Sequence, residues 1–156
     1  MMSLCCDVLN LLKGKTLVTA ESCTVGGIGA ALTAVSGSSA VYKGGIISYT
    51  NWVKHHLLDV PQEVLDTYGA VCAPVAEAMA RGARENLQAD VAVSVTGIAG
   101  PDGATYDKPV GLVYIAATNG KDFICSANRF FGDRHDVRLA SVNAMFRDAI
   151  RLIGGF

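Results

Sequence analysis

The stretch Leu17–Val35 reads LVTAESCTVGGIGAALTAV and changes character twice along its length. Leu17 to Ala20 is short and apolar, which suits a buried strand. Glu21 to Thr24 is polar and makes a turn. Gly26 to Val35 is small and apolar, as expected of a helix packed closely on a sheet. A strand that turns straight into such a helix is the unit from which α/β folds are built.

The flanking sequence repeats the theme. Upstream, Leu4, Val8, Leu11 and Leu12 share helical spacing, and Gly14 ends that helix. Downstream, Ser36-Gly37-Ser38-Ser39 reads as a loop. Val41 to Tyr49 reads as a second strand with a bulge at Gly44-Gly45. Thr50 can cap a short helix to Leu58. Pro61 and Pro74 each open a further helix, the second reaching about Leu87. Val91 to Thr96 is a buried-type strand, and Gly97 to Pro109 a long loop. Val110 to Thr118 is a strand, Asn119-Gly120 a hairpin signal, and Phe123 to Phe131 the returning strand. Asp133 caps a last helix reaching about Ile153. Helices between the early strands imply parallel crossovers. The expectation is one α/β domain over residues 1–156, its mixed, mostly parallel five-stranded sheet covered by helices on both faces.

Composition bounds the function. Hydrophobic residues make up 51% of the 156-residue chain and charged residues 17%, which excludes disorder. The apolar richness suggests a homo-oligomer. The net charge of −1 comes without a basic run, so a nucleic-acid groove has no electrostatic support. No apolar run approaches the roughly 20 residues of a membrane span. The first residues lack the basic start and apolar centre of a secretion signal, so a cytoplasmic location is expected. Five cysteines without a CxxC pair argue against a disulfide framework or a zinc site.

Ligands of such sheets bind beyond the carboxyl ends of the strands. Three segments qualify: Glu21 to Thr24, Tyr49 to Lys54, and Gly97 to Gly103. In the first, Ser22 stands near a helix start, where the N–H groups of Cys23 and Thr24 could face a developing oxyanion. A serine nucleophile needs a base. No histidine is well placed, but Lys54 can serve if burial lowers its pKa, with Tyr49 relaying a proton or orienting it. Each residue also has a plainer reading. Ser22 and Thr24 suit helix caps, Lys54 a solvated helix face and Tyr49 a strand end. Gly97 to Gly100 suits a tight turn, and Cys23 a small buried residue or a rival nucleophile.

Taken together these segments are more specific than any one. Ala20-Glu21-Ser22-Cys23-Thr24, Gly37-Ser38-Ser39-Ala40 and Tyr49-x-Asn51-x-x-Lys54 come first. Gly69-Ala70-Val71, Pro74 and Thr96-Gly97-Ile98-Ala99-Gly100-Pro101-Asp102-Gly103 follow. Lys108-Pro109-Val110-Gly111 and Phe131-Gly132-Asp133-Arg134 complete the set. In these motifs, over nearly its whole length, the chain resembles the C-terminal domain family of the competence-damage protein CinA. That family includes nicotinamide-nucleotide amidases, also called NMN deamidases.

The resemblance implies a three-layer α/β/α fold. It implies hydrolysis of the carboxamide of nicotinamide mononucleotide to nicotinic acid mononucleotide and ammonia, with no metal or other cofactor. It implies Ser22, Tyr49 and Lys54 as the catalytic set. The 5′-phosphate is then expected at the backbone of Gly97, Ile98, Ala99 and Gly100 and at the Arg134 side chain, with Ser38, Ser39 and Asn51 as further ribose or phosphate contacts. The family usually continues its first motif with Thr-Gly-Gly, whereas Val25 follows Thr24 here. A valine in place of a glycine at φ > 0 would be strained, and its branched side chain could crowd a ligand. Two alternatives stay open: a non-catalytic nucleotide-binding module of the same fold, and an interaction protein associated with competence or DNA repair.

Overall fold

The structure, a computed structural model, describes residues 1–154. Helix α1 (Met2–Leu11) leads into β1 (Leu17–Glu21), then α2 (Gly27–Thr33) and a 3-10 turn at Ser38–Ala40. Strand β2 (Tyr42–Ile47) is followed by three helices, α3 (Asn51–Leu58), α4 (Gln62–Tyr68) and α5 (Ala73–Asn86). Strands β3 (Val91–Gly97), β4 (Leu112–Thr118) and β5 (Phe123–Arg129) precede the closing helix α6 (Arg134–Gly154). The order of elements is the one that periodicity and turn residues predict; ends shift by one to three residues.

The sheet order is β2-β1-β3-β4-β5. Strands β2, β1 and β3 pair in parallel, whereas β3–β4 and β4–β5 are antiparallel. Two of the four pairings are therefore parallel and two antiparallel, while four of the five strands run in one direction and only β4 runs against them. The reason is that β4 returns directly beside β3 through the loop after Gly97 instead of crossing over a helix. The bulge falls at Lys43, where Leu17 faces Tyr42 but Val18 faces Gly44. The Asn119 hairpin has a four-residue loop, because the Asn119 side chain accepts from the N–H groups of Lys121 and Asp122 (3.0 and 2.7 Å) and widens the turn.

Both faces of the sheet are covered, which explains the continuous apolar runs of β1 and β3. Successive residues of β3 alternate between two cores. Val91, Val93 and Val95 pack with Leu12, Ile28, Met145 and Phe146 on the face of α1, α2 and α6. Ala92 packs with Val18, Ala20, Leu58 and Met79 on the face of α3 and α5. Helix α3 comes very close to α5: a Cβ at Gly82 would lie 1.8 Å from the Leu58 carbonyl oxygen. Only a glycine there lets α3 seat, and α3 carries Lys54. Among the described residues no helix is long and apolar enough to cross a membrane.

Candidate active site

The carboxyl ends of β1, β2 and β3 meet at one edge of the sheet, and the three polar segments that follow them converge there. Thr50 caps α3 by accepting from the Val53 N–H (3.4 Å). This cap sets the helix phase that turns Lys54, one turn later, back toward the strand ends. Lys54 is 1% exposed. Its Nζ lies 2.9 Å from Ser22 Oγ, 2.7 Å from the Ser48 carbonyl oxygen and 3.3 Å from that of Tyr49.

This geometry has a chemical consequence. A carbonyl oxygen only accepts, so the two carbonyls engage two N–H bonds of the amine. The third direction faces Ser22 Oγ. When Lys54 is neutral, its lone pair takes that direction and accepts the serine hydroxyl. Burial pulls the pKa of Lys54 down from 10.5 to about 8, because a charged ammonium is costly away from water. The coulombic influence of Cys23 opposes the shift only in part.

Cys23 is the adjacent rival nucleophile. It is buried, and desolvation pushes its thiol up to about 11, so it stays protonated and unreactive near neutral pH. Ser22 is 7% exposed and lines the cleft. The cleft measures about 230 Å³ and is walled by Ser22, Cys23, Tyr49, Lys54, Thr96 and Arg134, among others. Gly97 and Ala99 also reach it, and Ala70 and Val71 separate it from a larger cavity of about 520 Å³ that includes Ile98, Lys108 and Tyr114.

Of the two roles expected of Tyr49, relaying a proton or orienting Lys54, its backbone takes the second. Its backbone carbonyl holds Lys54, whereas its side chain is 57% exposed and its hydroxyl lies 3.4 Å from an Arg134 nitrogen. Arg134 is the first residue of α6, whose start is closed by a reciprocal cap between Asp133 and Asp136 (2.9 and 3.0 Å). One Arg134 nitrogen donates to the Gly100 carbonyl (2.8 Å), which pins the glycine loop against the cleft.

The helix start near Ser22 is not open to a ligand. Glu21, buried beside the nucleophile, turns its carboxylate onto α2 and accepts from the N–H groups of Ile28 and Gly29 (3.0 Å each) and from Thr24 Oγ1 (2.6 Å). Glu21, not Ser22 or Thr24, is thus the acceptor at the start of α2, and the Thr24 hydroxyl is committed to it. The oxyanion donors expected at Cys23 and Thr24 are loop amides. Among the described residues neither N–H has an acceptor.

Other expected contacts are dispersed. Ser38 and Ser39 sit ahead of β2, at the amino end of the parallel strands, about five residue steps of 3.3 Å from the site. Asn51 is exposed at the first turn of α3 and does not line the cleft. The Ile98 N–H is already bonded to the Leu112 carbonyl (2.9 Å), so it is not a free anion donor. Sequence reasoning placed Glu21 in a candidate segment and Thr96, Ala70 and Val71 in motifs, but gave none of them a role in the site. For Glu21 the signal was present: an acid ends an apolar strand just before a small-residue helix with no capping side chain of its own.

Val25 adopts φ +45° and Gly26 φ +85°. The chain therefore demands a left-handed backbone at the position where a valine stands. Its side chain is 41% exposed and does not line the cleft, so the strained position stands beside the cleft and not in its wall.

The family model of the CinA C-terminal domain matches residues 3–153. A CinA-like protein of Parasynechococcus marenigrum is 57% identical over 134 residues, covering 85% of this chain and 32% of the relative. The chain thus spans about a third of the length of such curated relatives. The crystal structure of a competence/damage inducible protein, CihA, from Agrobacterium tumefaciens is 40% identical, with a TM-score of 0.93 over 96% of this chain and 93% of that one. A CinA-superfamily protein from Klebsiella pneumoniae, 29% identical, superposes with a TM-score of 0.94 over 99% and 98%. The chain belongs to the CinA C-terminal domain family.

Proposed function

We propose that this domain is an amidase that hydrolyses the carboxamide of nicotinamide mononucleotide to nicotinic acid mononucleotide and ammonia. The observation that carries the reading is the buried Lys54 amine 2.9 Å from Ser22 Oγ, with a pKa near 8. Serine is a weak nucleophile until a base takes its proton, and a lysine close to neutrality supplies one.

Neutral Lys54 accepts the Ser22 proton as Ser22 Oγ bonds to the carboxamide carbon. The free amides of Cys23 and Thr24 receive the oxyanion. Collapse breaks the C–N bond, and the Lys54 ammonium returns its proton to the departing nitrogen, which leaves as ammonia. Water then attacks the Ser22 ester, giving one proton to Lys54. Cleavage of the ester returns that proton to Ser22 Oγ and frees the acid.

The mononucleotide phosphate is assigned to Arg134, whose forked guanidinium keeps donors beyond the one on Gly100. The Ala99 and Gly100 amides, which have no acceptor among the described residues, add to it. Purified protein is expected to release ammonia from the mononucleotide, followed in a coupled dehydrogenase assay, and Ser22→Ala to abolish release. Absence of ammonia from the wild type, or unchanged release from Ser22→Ala, would sink the proposal. Thermal stabilisation by the mononucleotide without turnover would favour a binding module instead.

A further inference from the structure

Helix α6 places two arginines one turn apart, Arg134 and Arg138, and they serve different parts of the site. Arg134 reaches the Gly100 carbonyl and Tyr49 at the rim of the cleft. Arg138 does not line the cleft. Its Nε donates to the Cys23 carbonyl (3.1 Å) and a terminal nitrogen to the Thr24 carbonyl (3.2 Å). Its other side borders a separate cavity of about 230 Å³ formed with Thr24, Gly27, His135 and Val142.

The Cys23 carbonyl and the Thr24 N–H are two ends of one planar trans peptide and point in opposite directions. A guanidinium that holds the carbonyl from the α6 side therefore turns the N–H away from α6. Among the described residues that N–H has no acceptor. A charged donor on the carbonyl also polarises the amide, making its N–H a stronger donor. The second bond, to Thr24, fixes the next peptide, where Val25 holds its left-handed backbone and donates to the Ser22 carbonyl (3.3 Å).

We infer that Arg138 is a positioning residue that orients and polarises the Cys23–Thr24 peptide as an oxyanion donor. The inference rests on the amidase reading for its kinetic consequence but not for its structural one.

The test compares wild type, Arg138→Ala and Arg138→Lys on the mononucleotide, with Ser22→Ala as the blank. Loss of a whole oxyanion donor costs about 10²–10³ in kcat, so loss of its polarising partner is expected to cost about 10–100-fold. The expected pattern is a fall in kcat, a KM within about threefold of wild type, and an unmoved pH inflection, since Lys54 is untouched. Arg138→Lys should fall between the two. Guanidinium ion should restore part of the Arg138→Ala rate, because the cavity beside Arg138 admits it. An unchanged kcat overturns the inference, as does a loss confined to KM. So does a loss that guanidinium does not relieve and that moves the pH inflection.

A wild type that releases no ammonia refutes the amidase reading alone. The Thr24 amide resonance in 15N-labelled protein then decides about Arg138. It should shift upfield in Arg138→Ala; an unmoved Thr24 signal overturns the inference whatever the turnover.

Discussion

Replacing Lys54 by methionine separates two consequences of its burial. The pKa of Lys54 lies near 8 in the fold and near 10.5 when solvated, a difference worth about 3.4 kcal/mol between its charged and neutral forms. The sign follows from proton counts. Between these two values the unfolded chain holds the proton and the folded chain does not, so stability rises with pH across that window. Below pH 8 both states are protonated and the full cost of burying the charge is present. Integration gives a gain of about 1.4 kcal/mol by pH 9 relative to pH 7 or below, and about 2.5 kcal/mol by pH 10. Lys54→Met cannot titrate and lacks this pH dependence.

The assay is urea denaturation of both proteins at a series of pH values, taking the difference between them so that other titrating groups cancel. The same pKa sets the rate. About one Lys54 in eleven is neutral at pH 7 and one in two at pH 8, so kcat/KM should climb about fivefold between them and level off above about pH 9. A difference in unfolding free energy that stays constant from pH 7 to 10 would refute the reasoning. So would a rate profile that keeps climbing to pH 10.

Three further perturbations test the supporting structure. Val25→Gly removes a β-branched residue from a left-handed backbone. The relief of about 1–2 kcal/mol, less the entropy glycine adds to the unfolded chain, should raise Tm by about 2–4 °C; a lower Tm would mean that Val25 packing outweighs the strain. Glu21→Gln sets an amide N–H₂ against donors that the carboxylate now accepts. Calorimetry should show a loss of about 3 kcal/mol, and kcat should fall as Thr24 is released. Tyr49→Phe removes a hydroxyl that meets Arg134 while leaving the carbonyl that holds Lys54. Steady-state kinetics should show a change in KM larger than the change in kcat, which should stay within about tenfold.

Much of the framework was legible because it is local. The strand–turn–helix at Leu17–Val35, the caps at Thr50 and Asp133 and the prolines opening α4 and α5 are decided by side chains within a few residues of the backbone they control. The left-handed position at Val25 was legible only as a mismatch with the family's glycine. What was not legible was whatever depended on distant partners. Ser38 and Ser39 share a motif with the site but stand at the far end of β2. The helix start expected to face the ligand is filled by Glu21. Tyr49 turned out to hold Lys54 by its backbone and Arg134 by its side chain.

The sequence by itself determined the order of elements, the α/β class and the set of segments at the strand ends, since dihedral preference and hydrogen bonding over a few residues suffice for these. Only the tertiary structure decided that Ser22 and Lys54 meet across 32 positions. The packing of α3 on the strand ends buries the amine, and removal from water, which no local pattern encodes, lowers its pKa.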